Sequence, residues 1–204
     1  MYVKKQRDSK FYFLDNYMAI YYKLLNDRGG VHPTNNPINP GDFHSFPPGF
    51  RYRMIILFVP YFVLFSRMLA GSPMETEPKH YINHKCMGDN FYEDTTGFPP
   101  RPELCTAYIR SEVTFPSCWD GRLTSEDMIN DPHVVHPDPG WEAGSCPDSH
   151  NKRLPTVFFE ALFRLEGIYE PGDQLYYSFN DTTGYGFHGD FFNGWQDGLI
   201  DVNN

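Results

Sequence analysis

An all-β domain, antiparallel and with long loops, is the fold class this sequence predicts. Three observations carry the prediction. The 204 residues include 17 Gly and 18 Pro, and also 3 Trp, 14 Tyr and 18 Phe. So many turn formers beside so many aromatics fit a loop-rich β protein and argue against a helical bundle. Apolar residues also alternate with polar ones along short runs, which is the period of a half-buried strand. A β-sandwich or jelly roll in a single domain is the most economical architecture.

The elements follow in order. The chain starts basic and polar, with no apolar export stretch behind that start; the resemblance given below divides it into a non-matching segment, 1–14, and a single β domain, 15–204. Tyr17 to Leu25 is aromatic and aliphatic and reads as a buried strand. Residues 26–48 are rich in Asn, Pro and Gly and read as a loop. In Thr106 to Phe115, Ala107, Ile109, Val113 and Phe115 share one face, and Arg110, Glu112 and Thr114 share the other. Residues 116–155 read as loop. Thr156 to Glu166 puts Val157, Phe159, Ala161, Phe163 and Leu165 on one face of a strand. Leu175 to Asn180 is a further strand. Residues 195–202 suit a short terminal helix, weakened by Gly198.

Charge excludes some partners. Lys and Arg number 17 against 26 Asp and Glu, a formal charge of −9. With no basic stripe, such a chain is a poor nucleic-acid binder. The longest apolar run, Met54 to Phe65, falls short of the about 20 residues a membrane span needs and carries Pro60. No stable membrane span is expected.

None of the four cysteines lies in a CxxC pair, which argues against a zinc ribbon or a thioredoxin-type site. Three disulfide pairings are possible. Cys86–Cys105 and Cys118–Cys146 are favoured, because each closes a loop of turn residues. Disulfides imply an oxidising compartment; four reduced, buried cysteines are the alternative.

Chemistry concentrates in three loop clusters, at 115–121, 131–150 and 184–195. In the third, His188 and Asp190 lie two apart, so an extended backbone points them the same way. An imidazole beside a carboxylate serves as general acid or base, or only fixes a turn. Paired carboxylates are the glycosidase pattern, with Asp120, Glu160 and Asp190 as candidates. Glu160 sits in an apolar strand, where a sheltered carboxyl suits an acid; pairing with Arg110 or Arg153 is the structural alternative. Trp119, Trp141, Trp195 and Tyr185 suit a stacking surface for sugars. His133, His136 and His150 form a candidate metal set with Asp120 or Asp190, though their spacing matches no strong zinc pattern, and no cofactor is called for. There is no GxSxG, P-loop or GxGxxG pattern.

These clusters resemble a fungal secreted family, the domain of unknown function numbered nineteen-ninety-six, often joined to a WSC carbohydrate-binding tail. The matching segments are Phe46–Phe50 (FPPGF), Arg67–Gly71 (RMLAG), Phe115–Gly121 (FPSCWDG), His133–Pro137, Cys146–His150, Leu154–Pro155, Phe158–Glu160, Gly184–Asp190 and Asn193–Trp195. The likeness runs from Asp15 onward. In the family pattern FPPGF and RMLAG are contiguous and Tyr stands where this chain has His136, which demotes His136. The apolar segment at 52–66 is therefore expected to be a translated intron, and Met1 a misplaced start.

The resemblance implies an extracellular setting and a cell-wall or carbohydrate context, without a reaction. The expected function is acting on or binding polysaccharide. The expected acid–base groups are His188 and Asp190, with Glu160 and Asp120 in support. Trp119, Trp195, Tyr185, His133, His150 and Asn193 would contact the glycan. A non-catalytic wall-binding module and a metal-dependent hydrolase are the competing classes.

Overall fold

The computed structural model describes residues 1–23, 46, 68–89, 91–123, 125, 127, 130–140 and 144–191. Among them every regular element is a strand, apart from 3-10 turns at Pro102–Leu104 and Asp148–His150. No helix of the described residues is long and apolar enough to cross a membrane. The apolar run at 54–65 and the expected helix at 195–202 lie outside the described residues.

The strands are β1 (Tyr2–Lys4), β2 (Phe11–Phe13), β3 (Asn16–Lys23), β4 (Met68–Ala70), β5 (Ile82–Met87), β6 (Tyr92–Thr95), β7 (Tyr108–Thr114), β8 (Cys118–Trp119), β9 (Val134–Val135), β10 (Lys152–Arg153), β11 (Thr156–Arg164), β12 (Gln174–Tyr176) and β13 (Gly189–Phe191). They form sheets ordered β3-β11-β7-β5-β6, β12-β1-β2, β10-β8-β9 and β13-β4. The chain divides into two compact units, the first of residues 1–21, 70–114 and 158–189, the second of 22–69, 115–157 and 190–204.

In the first unit, the central strands β5, β7 and β11 pair antiparallel, with Ile82 opposite Val113 and Phe163 opposite Ile109. In β7 and β11 the apolar face is as read, whereas Glu112 and Thr114 on the other face of β7 are buried too, and β5 falls outside the strands the sequence predicts. Val157, Phe159, Ala161, Phe163 and Leu165 are all buried, as are Ile109 and Val113. The core gathers Val3, Leu14, Ile109, Phe163, Leu175 and Tyr177 around the Cys86–Cys105 disulfide. Residues 1–14 supply two strands here, and β1 pairs with β12 through Val3 and Leu175.

One strand expectation needs correcting. The run from Tyr17 forms a strand, but not a buried one: Tyr17, Met18, Ile20, Tyr21 and Tyr22 are all exposed. β3 is the marginal strand of its sheet, with β11 as its one neighbour in the described order. Apolar composition alone does not report whether a strand is central or marginal.

The second unit is made of short strands and loops. Its sheet is built of two-residue strands, with Cys118 and Trp119 of β8 flanked by β9 and β10. This stretch was read as loop, and strands this short leave no periodicity to detect. The Cys118–Cys146 disulfide ties it, and Arg153 Nη1 donates to the Gly144 carbonyl at 3.1 Å beside it. Both favoured disulfide pairings are therefore formed.

Candidate functional site

The loop 181–188 of the first unit is organised by one carboxylate. Asp181 Oδ1 accepts from the Thr183 backbone N–H at 2.7 Å, the Thr183 hydroxyl at 2.6 Å and the Gly184 N–H at 3.2 Å. Its Oδ2 accepts from Gly186 N–H at 3.0 Å. Gly184 has φ +84°, and a Cβ there would lie 2.6 Å from Phe98 N, so glycine alone fits. This short-range bonding is why an Asp-Thr-Thr-Gly stretch turns so tightly.

The loop presents Tyr185. Its ring packs over Gly97, whose own Cβ would fall 2.8 Å from that ring. Tyr185, Tyr169, Phe98, Thr96, Thr183 and Gln174 line an open cleft of about 480 Å³, with Pro99, Pro100 and Pro102 along the wall. Burial pushes the Tyr169 hydroxyl up to about 12, and it donates to the Asp173 carbonyl at 2.8 Å. The cleft thus combines apolar ring faces with hydroxyl and amide groups.

Beneath the loop lies a sealed polar chain. Tyr177 Oη is 2.8 Å from Ser111 Oγ and 2.9 Å from His84 Nε2, and all three residues are buried. The assignment that uses each hydroxyl hydrogen once has Ser111 donating to Tyr177 and Tyr177 donating to His84. Burial pushes His84 down to about 3, so the ring is neutral. Burial likewise pushes the Tyr177 hydroxyl up. Phe98 and Phe187 close over the imidazole at ring distances of 5.4 and 6.1 Å. Cysteine, histidine and aromatic spacing did not single out this chain, because its members come from three separate strands and loops.

His188 Nδ1 lies 2.7 Å from the Gly186 carbonyl. A carbonyl only accepts, so Nδ1 carries the hydrogen, and in the neutral ring Nε2 carries the lone pair. The ring meets Phe179 edge-on at 5.3 Å. His188 is not among the residues lining the Tyr185 cleft.

Glu160 occupies the other face of the sheet. It pairs in register with Glu112, while Ala161 pairs with Ser111. Alternation puts Glu160 and Glu112 on one face and Ser111 on the other. Phe187 stacks on Tyr177, which bonds Ser111, so the sheet stands between this anchor of the His188 loop and Glu160. Arg110 bridges the two glutamates, with Nε 2.7 Å from Glu112 and Nη1 3.6 Å from Glu160. Lys85 Nζ lies 3.4 Å from Glu112 and 3.5 Å from Asp94. Burial pushes the Glu112 carboxyl up against the pull of Arg110 and Lys85. Glu112 was not singled out as a chemical residue, although the alternation had already placed it beside Arg110.

The second unit brings four predicted residues together. Asp120 accepts from the Arg122 backbone at 2.7 Å and from Arg122 Nε at 2.6 Å. The same guanidinium grips Asp131 at 2.5 and 2.9 Å. This fork holds the Asp131 carboxyl below its ordinary range. His150 Nε2 donates to the Pro132 carbonyl at 2.8 Å and lies 3.9 Å from Asp120 Oδ2. Its Nδ1 accepts from the Ser149 hydroxyl at 2.9 Å. His133 is buried, and that burial lowers its pKa. Trp119 is also buried, its indole N–H donating to the Arg122 carbonyl at 2.6 Å. Lys152 Nζ stands 4.9 Å from its ring centre, so a sugar stacked there would displace Lys152.

Asp190 is exposed on β13, in the second unit, whereas His188 and Glu160 belong to the first. Trp141, Asn193 and Trp195 lie outside the described residues. Among the described residues no group of three His, Cys, Asp or Glu is placed to hold a metal.

A family model described as a domain of unknown function (DUF1996) matches residues 62–195, about two-thirds of the chain. The match takes in the RMLAG segment and the segments after it through Trp195, while FPPGF and residues 15–61 fall before it. No curated protein and no solved structure matches the chain.

Proposed function

From a chain that belongs to the DUF1996 family, whose description assigns no reaction, we propose a domain that binds cell-wall polysaccharide in an extracellular setting. One observation carries the reading: a single carboxylate, Asp181, fixes a loop that holds Tyr185 in an open cleft among Thr96, Thr183 and Gln174. A sugar ring offers C–H faces to an aromatic ring and hydroxyls to polar edges, and this cleft carries both. A rigid tyrosine loses little entropy on binding. Two disulfides are compatible with the oxidising compartment this role needs.

Pull-down and titration against chitin, β-glucan, cellulose and pectin test the reading. Tyr185→Ala is expected to weaken binding to the preferred glycan about tenfold, a loss of about 1.4 kcal/mol. Binding unchanged by that substitution, or no binding to any glycan, would overturn it.

A hydrolase is the second reading, favoured by the His188 tautomer that leaves Nε2 as the basic nitrogen. His188→Ala and Asp190→Ala are expected to abolish any polysaccharide turnover. Turnover retained in both variants would remove this pair from consideration.

A further inference from the structure

The β12-β1-β2 sheet turns one face inward through Val3 and Leu175, both buried. Register puts Tyr2, Lys4, Phe11, Phe13, Gln174 and Tyr176 on the opposite face. Phe11 and Phe13 are more than half exposed there. The rings are ordered against one another: Phe11 meets Tyr176 edge-to-face at 5.2 Å, and Tyr2 meets Phe13 at 5.4 Å. Tyr2, Phe11 and Tyr176 also line a cleft of about 250 Å³ with Ser178 and Asn180.

Lys4 gives this face its sign. Its ammonium lies 5.6 Å from the Phe11 ring centre and 6.0 Å from that of Tyr176. Lys5, the next residue, is buried and paired with Asp173 at 2.9 Å. Among the described residues Lys4 has ring contacts and no ion pair. A cation held on an aromatic surface is complementary to an anion carried on a flat apolar body. Uronic-acid sugars have that form: a ring with apolar C–H faces and one carboxylate.

We propose that this face binds acidic polysaccharide: a uronate carboxylate draws Lys4 off the Phe11 and Tyr176 rings into an ion pair, and the C–H face of the sugar takes its place on them. The proposal stands on this face alone and does not depend on the Tyr185 cleft.

Titration of the full chain with uronate oligosaccharides and with neutral glucan oligosaccharides, at low and high salt, tests it. Uronate binding is expected to weaken with salt. Lys4→Gln is expected to weaken it about fivefold at low salt and to remove the salt dependence. Phe11→Ala is expected to weaken it comparably. Lys4→Gln is a surface change that leaves the core intact, so its result stands even if Phe11→Ala unfolds. Unchanged uronate binding in Lys4→Gln, or no uronate binding by the parent chain, would overturn the proposal. So would concentration-dependent dimerisation abolished by Phe11→Ala, which would assign the face to a second copy.

Discussion

Acid titration from pH 6.5 toward pH 3 is expected to lower the unfolding free energy at a slope approaching about 1.4 kcal/mol per pH unit from His84 alone. The folded ring is pushed down to about 3 by burial, against the opposing pull of Asp181. An unfolded histidine titrates near its ordinary 6.5. The folded pKa is the lower of the two. The stabilisation is therefore fully present above pH 6.5 and is lost progressively as pH falls toward 3, because the unfolded chain takes up a proton that the folded chain refuses. The upper part of this window, above pH 5, is diagnostic, since ordinary carboxylates titrate below it. His84→Gln retains a neutral acceptor for the Tyr177 hydroxyl and cannot titrate. Urea denaturation of both proteins between pH 7 and 5 measures the effect, and a slope in the variant equal to that of the parent would refute the assignment.

The second large effect is covalent. Cys118→Ser with Cys146→Ser is expected to destabilise the second unit by about 3–4 kcal/mol, the chain-entropy value for a closed loop of this length. The bridge spans 28 residues of sequence. Little else in the described part of that unit is regular: β8, β9 and β10 are two residues each. The Trp119–Asp120–Arg122 corner begins at Cys118 itself, so the same change is expected to loosen the Asp120–Arg122–Asp131 fork. Urea midpoints, followed by tryptophan fluorescence, measure the loss. An unchanged midpoint would mean that the short strands and Arg153 hold the unit without the bridge.

β7 and β11 are legible because each carries an apolar face and a face of different chemistry, whereas β5 is not predicted from the sequence. Ile109 and Val113 against Arg110 and Glu112 is a contrast of chemistry, an apolar face against one of paired charges, and period-two alternation records it directly. β3 was misjudged on burial because Tyr17, Met18 and Ile20 look the same in a central strand and a marginal one. β1 leaves little signal because three residues in a basic start have too little apolar content to mark pairing with a strand about 170 positions away, and Phe11–Phe13, though aromatic, is too short to show a period. At the candidate site, Asp120, His133 and His150, grouped in the sequence as a candidate metal set, are neighbours beside Trp119, and Arg122 and backbone carbonyls hold them. Asp181 escaped notice: in sequence it is one more acidic turn residue. Only its four hydrogen bonds distinguish it. Glu160 was correctly placed opposite Val157 and Phe159, and Arg110, one of its two proposed partners, is the one that meets it.

β3 also bears on handling the protein in solution. Among the described residues β3 has a strand neighbour on one side alone, so its other row of backbone donors and acceptors faces no described strand, beside exposed Tyr17, Met18 and Ile20. Such a row templates intermolecular strand addition. Self-repulsion from the formal charge of −9 opposes it at neutral pH and fades as carboxylates gain protons. Colloidal stability should therefore be poorest in mildly acidic, salty buffers, where repulsion is both neutralised and screened.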